Sequence, residues 1–196
     1  MAFLREELVD AADREQALRE ELVAAGYCMY SSSCVLVLTV GDGVYGFTLD
    51  REIGEFLLSH DNLRIPEANA MYCCKLGNTA LWAPQLAEYA AELQRQNYTY
   101  RYIGALVGDF HRTLLYGGLW LYPPDSKAPE GKARLLYEVA PIGMLAEQAG
   151  GMATYGDRAE KRVLDAVPTS THQKHPMFVG SPREVEKLQQ FLSEAA

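Results

Sequence analysis

Residues able to grip an anion concentrate in one stretch of this chain. Arg101-Tyr102 stands just ahead of a helical pattern, Tyr122 ends an apolar strand pattern, and Lys132, Arg134 and Glu138 follow the loop 123–131. Lysine and tyrosine at strand ends supply charge and hydroxyl donors suited to a phosphate. Lys132, Arg134 and Glu138 are spaced by even numbers, which on a strand places them on one face. A glutamate there could ligate a divalent cation that also touches the phosphate. One carboxylate does not complete a Mg²⁺ site, and the competing reading is a surface ion pair between Lys132 and an acidic neighbour. The local charge agrees with an anion site: residues 95–134 hold six basic residues against three acidic ones.

Other chemistries find little support. No glycine-rich phosphate loop of either common type is present, and Gly117-Gly118 and Gly150-Gly151 read as helix stops. His60, His111, His172 and His175 lack metal-ligand spacing, and no serine nucleophile elbow occurs. Cys28, Cys34, Cys73 and Cys74 show no disulfide framework, so they read as reduced thiols in a cytoplasmic setting.

The chain has 196 residues, a net charge of −8 and 48% hydrophobic residues, the composition of an ordinary globular protein. The acidic balance argues against a nucleic-acid partner. The longest strongly apolar run, Cys34–Val40, is too short to span a membrane. No secretory leader is expected, because residues 1–24 carry three basic and seven acidic residues and no apolar core.

The elements that must hold the anion-binding residues follow from periodicity. Ala2–Ala25 predicts a helix, with Leu4, Leu8, Ala11, Leu18 and Leu22 on a narrow stripe. Cys34–Val40, Val44–Leu49 and Glu55–Leu58 predict a β-meander whose edges and faces want cover. Beyond residue 68 the pattern alternates. Helices are expected at Pro84–Gln96, Gly104–Tyr116 and Pro141–Ala149. Strands are expected at Leu119–Tyr122, Arg134–Glu138, Val163–Val167 and Met177–Val179. Ser181-Pro-Arg-Glu184 reads as a capping box opening a last helix.

The strings that carry this pattern resemble class I fructose-1,6-bisphosphatase, in its C-terminal half. They include Leu22-Val-Ala-Ala-Gly-Tyr27, Gly46-Phe-Thr-Leu-Asp50, Arg101-Tyr-Ile-Gly104, Asp109-Phe-His-Arg112, Leu121-Tyr-Pro123, Arg134-Leu-Leu-Tyr-Glu138 and Glu147-Gln-Ala-Gly-Gly151. The likeness runs from about Leu22 to the C-terminus; the residues before it read as a helix outside the family pattern. The fold this implies is α/β: a layered helix–sheet–helix sugar-phosphate domain with a mixed sheet over residues 67–196. An N-terminal helix and a β-meander, the remnant of a missing domain, precede it over residues 1–66.

The resemblance also implies roles. Tyr102 and Tyr122 match the tyrosines that hold the sugar 6-phosphate, and Lys132 matches the lysine on that phosphate and the sugar ring. Arg101 matches an arginine reaching into a neighbouring subunit's site, and Leu106 falls where a backbone amide touches the sugar. Glu138 matches the one metal-ligating glutamate of this half. Lys75-Leu-Gly-Asn78 departs from the family's usual Asn-Glu-Gly-Asn or Asn-Glu-Gly-Tyr. Lys75 therefore stands where an asparagine meets the 6-phosphate, and Asn78 matches some members only.

The family's other carboxylate strings, Gly-Glu-Glu and Asp-Pro-x-Asp-Gly-Ser, are absent, as is the AMP site, so a Mg²⁺ site is expected to be incomplete. The family reaction is Mg²⁺-dependent hydrolysis of the 1-phosphate of fructose 1,6-bisphosphate. It is expected to be lost here, or to depend on a homo-oligomeric or complementing partner chain. The expected ligands are fructose 1,6-bisphosphate and fructose 6-phosphate. The alternatives are a non-hydrolytic sugar-phosphate sensor and an enzyme repurposed for metal-free isomerisation.

Overall fold

The computed structural model describes residues 2–4 and 22–195. Among the described residues, two large sheets and four α-helices form alternating layers. The first sheet is antiparallel, in the order β1 (Ala2–Leu4), β2 (Leu22–Tyr30), β3 (Cys34–Thr39), β4 (Tyr45–Asp50), β5 (Glu55–His60). The second is mixed. Its order is β11 (Lys161–Arg162), β10 (Met152–Tyr155), β13 (Met177–Gly180), β8 (Leu119–Tyr122), β6 (Met71–Cys73), β7 (Thr99–Tyr100). Strand β6 runs parallel to both neighbours, and the other pairs are antiparallel. A two-stranded ribbon joins β9 (Ala133–Arg134) to β12 (Lys174–His175).

Helices α2 (Leu106–Tyr116) and α3 (Ala140–Gln148) lie between the sheets, α3 touching β2 and β3 on one side and β10 and β13 on the other. The sequence of α3 explains its place. Ala140 through Ala146 are all buried, so this helix has almost no polar face to offer water. Helices α1 (Pro84–Arg95) and α4 (Pro182–Glu194) cover the outer face of the mixed sheet. They carry the ordinary amphipathic stripes, Leu86, Tyr89, Ala90 and Leu93 on one, Val185, Leu188 and Leu192 on the other. The mixed sheet thus has helices on both faces, as expected from the alternation.

Several expected elements differ. The helix expected over Ala2–Ala25 is contradicted at both ends, where β1 and the start of β2 pair as strands; the intervening residues lie outside the described ones. Leu22, the last residue of the expected stripe, lies in β2 and buries with Ala25 and Tyr27 against the helical layer. The strand expected at Arg134–Glu138 lasts only through Arg134, then gives way to one helical turn at Leu135–Val139 that leads into α3. Val163–Val167 is likewise not a strand; a 3₁₀ turn covers Val163–Asp165. The capping box does not form. Ser181 Oγ accepts the Gly118 amide at 3.0 Å, and the Glu184 carboxylate accepts Tyr98 Oη at 2.7 Å and Lys187 Nζ at 2.9 Å. Tertiary partners took both side chains from the helix end.

The expected helix stop at Gly117-Gly118 does form, and Gly118 has a second duty. With φ +91 its Cβ would stand 2.4 Å from the Met71 carbonyl oxygen, so only glycine lets β8 close on β6. Edge strand β5 leaves Phe56, Leu57 and Leu58 exposed.

Phe110 of α2 joins the two sheets. It is fully buried, edge-on to Tyr27 of β2 at 5.7 Å between ring centres and 6.4 Å from Trp120 of β8. Phe110→Ala is expected to cost about 3–5 kcal/mol. Chemical denaturation should still show one transition by near-ultraviolet and far-ultraviolet circular dichroism; two separate transitions would show that the sheets do not share this core.

Candidate functional site

A cleft of about 240 Å³ opens at the ends of β6 and β8, lined by Lys75, Asn78, Trp82, Tyr102, Leu121, Tyr122, Pro123 and Lys132. Five of the residues singled out from sequence, drawn from four separate segments, therefore meet in one place. Lys75 and Asn78 sit at the start of a 3₁₀ turn (Leu76–Leu81) that follows β6. Tyr122 is the last residue of β8.

Tyr102 lies on the loop after β7, and a buried carboxylate sets that loop. Asp109 of α2 accepts the Ile103 amide on Oδ1 and the Gly104 amide on Oδ2, each at 2.9 Å, and pairs with Arg112 at 3.0 Å. Two backbone bonds and an ion pair offset the cost of burying its charge. Lys132 follows Gly131, whose φ of +82 and close approach to the His175 backbone exclude a side chain.

Lys132 does have an acidic partner, as the competing reading proposed, yet that partner is buried rather than at the surface. Its ammonium pairs with Asp125 Oδ2. The same oxygen accepts Asn78 Nδ2 at 3.1 Å, and Oδ1 accepts the amides of Lys127 at 3.0 Å and Ala128 at 2.9 Å. Asp125, Asp109 and Trp82 escaped sequence reasoning. The Pro-Asp-Ser-Lys run at 124–127 is a turn signature in which aspartate caps backbone amides, and that signal could have found Asp125.

The electrostatics keep the cleft's hydroxyls as donors. Burial, the largest cause, raises the Tyr122 phenol above its ordinary pKa, with Lys132 opposing. Burial also raises Tyr102, helped by the Asp109 charge. The Lys132 hydrogen bond leads the causes that hold Asp125 below the usual carboxylate range.

Three expected site residues stand apart from the cleft lining. Arg101 is exposed and donates to the Tyr100 carbonyl at 3.1 Å. Leu106 opens α2 and packs against the inter-sheet core. Glu138 does not share a strand face with Lys132 and Arg134, because the backbone turns helical after Arg134; its Oε2 accepts the Arg134 amide at 2.6 Å. Among the described residues no three His, Cys, Asp or Glu side chains come together to hold a metal ion. A divalent cation needs about six oxygen ligands, so these residues by themselves do not fit one. No helix among them is long and apolar enough to cross a membrane.

Asp125 gives the cleft an acid limit. Its folded pKa lies below the unfolded carboxylate value of about 4. The ionised group therefore contributes stability above that value, and the contribution fades as pH falls through the folded pKa. Thermal melts between about pH 6 and about pH 3 should show a shallower acid fall for Asp125→Asn than for the parent chain. Equal acid slopes would contradict the pairing.

Residues 65–193 match the family profile described as fructose-1-6-bisphosphatase, C-terminal domain, and residues 3–61 match that of the N-terminal domain. The likeness therefore takes in residues ahead of Leu22. A chloroplastic fructose-1,6-bisphosphatase of Triticum aestivum is 52% identical over 177 residues, covering 88% of this chain and 42% of the relative. A cytosolic one of Brassica napus is 47% identical over 182 residues, covering 89% and 52%. The chain thus spans about two-fifths to one-half of the length of these relatives. Among solved structures, Leishmania major fructose-1,6-bisphosphatase in holo form superposes with a TM-score of 0.88 at 44% identity, covering 93% of this chain and 56% of that one. Its T-state superposes at 0.90 and 42%, covering 97% and 61%.

Proposed function

Because the chain belongs to the fructose-1,6-bisphosphatase family, we propose that its cleft binds the phosphate end of a fructose phosphate. The observation that supports this reading most is convergence. Lys75, Tyr102, Tyr122 and Lys132 line one cleft of a size suited to a sugar-phosphate end, with two cations and two protonated phenols. The lysines supply charge, the phenols supply directed donors, and Trp82 and Leu121 form an apolar wall. Lys75 replaces a neutral amide contact with a full charge.

The anchored phosphate would be the 6-phosphate, leaving the 1-phosphate for Mg²⁺-dependent hydrolysis, the family reaction. Glu138 alone does not build a cation site, so hydrolysis depends on carboxylates from beyond the described residues, in a longer chain or a partner. Arg101, exposed on the loop after β7, would act across a subunit boundary. The exposed apolar edge strand β5 supports assembly as a dimer or larger.

Calorimetric titration with fructose 6-phosphate tests the cleft. Binding is expected, weakening with added salt, and Lys132→Ala is expected to lower affinity at least about tenfold. No binding to the parent chain would overturn the reading. Phosphate release from fructose 1,6-bisphosphate with Mg²⁺ should stay at background for this chain alone and rise when the family's N-terminal segment is added; turnover at full family rates by this chain alone would show that it needs no further carboxylates. For the assembly, light scattering should give a multiple of 21.8 kDa for the parent chain and a smaller species for Leu58→Lys; a monomeric parent chain would refute it.

A further inference from the structure

Asp125 is a buried carboxylate just behind the cleft, and its two oxygens have separate tasks. Oδ1 accepts the Lys127 and Ala128 amides and so fixes the turn that follows β8. Oδ2 takes two cleft-lining residues together, Lys132 Nζ and Asn78 Nδ2. Asn78 comes from the turn after β6 and Lys132 from the segment ahead of β9. One oxygen therefore ties two cleft residues from separate segments to that turn. Asp125 also balances the Lys132 charge. Lys75 is exposed, and its side chain has no hydrogen bond or ion pair among the described residues, so it is the cation left without a counter-charge in the cleft lining.

These two roles act differently on different ligands. A bare phosphate ion responds mainly to net charge, which a carboxylate behind the site makes less favourable. A sugar phosphate must also meet donors at fixed positions beyond the phosphate, so it responds to where Lys132 and Asn78 are held. We propose that Asp125 is a positioning residue that sets selectivity for a sugar phosphate over inorganic phosphate, acting through Lys132 and Asn78. The proposal rests on the reading of the cleft as a sugar-phosphate site.

Asp125→Asn tests it, since the amide oxygen can still accept the two turn amides while the charge and the acceptor at Oδ2 are lost. Affinities for fructose 6-phosphate and for inorganic phosphate are measured on the full chain. Inorganic phosphate is expected to bind with an affinity unchanged or raised up to about threefold. The preference for fructose 6-phosphate should fall about tenfold. Loss of general structure would lower both affinities in parallel and leave their ratio unchanged, and an unchanged ratio overturns the proposal. Asp125→Glu, which keeps the charge but displaces it, should restore the parent's phosphate affinity and leave the ratio low; a restored ratio overturns positioning.

If Asp125→Asn alone does not fold, the double variant Asp125→Asn with Lys132→Gln removes both partners of the pair and is better tolerated than removing one. Compared with Lys132→Gln alone, it should show only the part of the ratio change carried by Asn78, less than half of the single-variant expectation. A full tenfold change in that background would show that Asp125 does not act through Lys132. Absence of fructose 6-phosphate binding in the parent chain would instead bring down the cleft reading and this proposal together. Binding by the parent with an unchanged ratio brings down the proposal alone.

Discussion

The apolar layer of α2 and α3 constrains everything else in this chain. A helix such as α3, buried from Ala140 through Ala146, cannot face water on either side. It needs a sheet above and a sheet below, and the two sheets here are those covers. The antiparallel sheet supplies Ala25, Tyr27, Val35 and Val37 to that layer, and the mixed sheet supplies Trp120, Ala153, Met177 and Val179. The matches to two family profiles meet between residues 61 and 65, yet the buried core runs continuously across that junction. Strands β2 and β3 are therefore held by the helices of the second portion as well as by each other, while β4 pairs on β3 and β5 on β4.

That packing decides where a cleft can exist. With helices on both faces of the mixed sheet, the open ground lies at the strand ends, where β6 and β8 run parallel and their following loops diverge. Loops at such a point need tethers, since their backbone amides lack ladder partners. Two buried aspartates provide them. Asp109 collects the amides ahead of α2, and Asp125 those of the turn after β8. Each carboxylate also has a cation, Arg112 for one and Lys132 for the other. An unpaired buried carboxylate would be too costly to retain, so tether and ion pair come together. The cleft's tyrosine and lysine are in place because these nearly fully buried acidic residues hold the chain around them.

Much of this was legible from residue order. Helices α1, α2 and α4 follow from their stripes, and β8 and β13 from short apolar runs bounded by turns. Tyr102, Tyr122 and Lys132 stand out by residue type, Lys75 and Asn78 through the family resemblance, and the structure brings all five together. The failures have a common physical source. Leucines of the N-terminal segment fit a helical spacing and a strand spacing equally well, and pairing with β3 decided for strand at Leu22–Tyr30. Arg134–Glu138 has strand-like residues, but the demand that α3 start inside the core bends the chain at Leu135. Ser181 and Glu184 had the capping spacing and were claimed by Gly118 and Tyr98. In each case a partner distant in sequence outcompeted a local preference, and spacing alone carries no record of such partners. Asp125 belongs to the same class, because a turn aspartate shows its sequence role and hides its grip on Lys132.

The two lysines of the cleft are consequently different instruments. Lys132 is pinned to a buried carboxylate, so its position is fixed and its field is partly cancelled at a distance. Lys75 is exposed, and its side chain has no partner among the described residues. Its field extends into solvent until salt screens it, over about 8 Å at physiological ionic strength. An anion approaching the cleft therefore feels Lys75 first and meets Lys132 only on contact. Attraction and geometry are separated into two residues, which lets the unpartnered position change without disturbing the pinned one. Lys75, which the family resemblance aligns with an asparagine, falls on the exposed side of that division. Its charge stands at the mouth, apart from the Asp125–Lys132–Asn78 arrangement behind it.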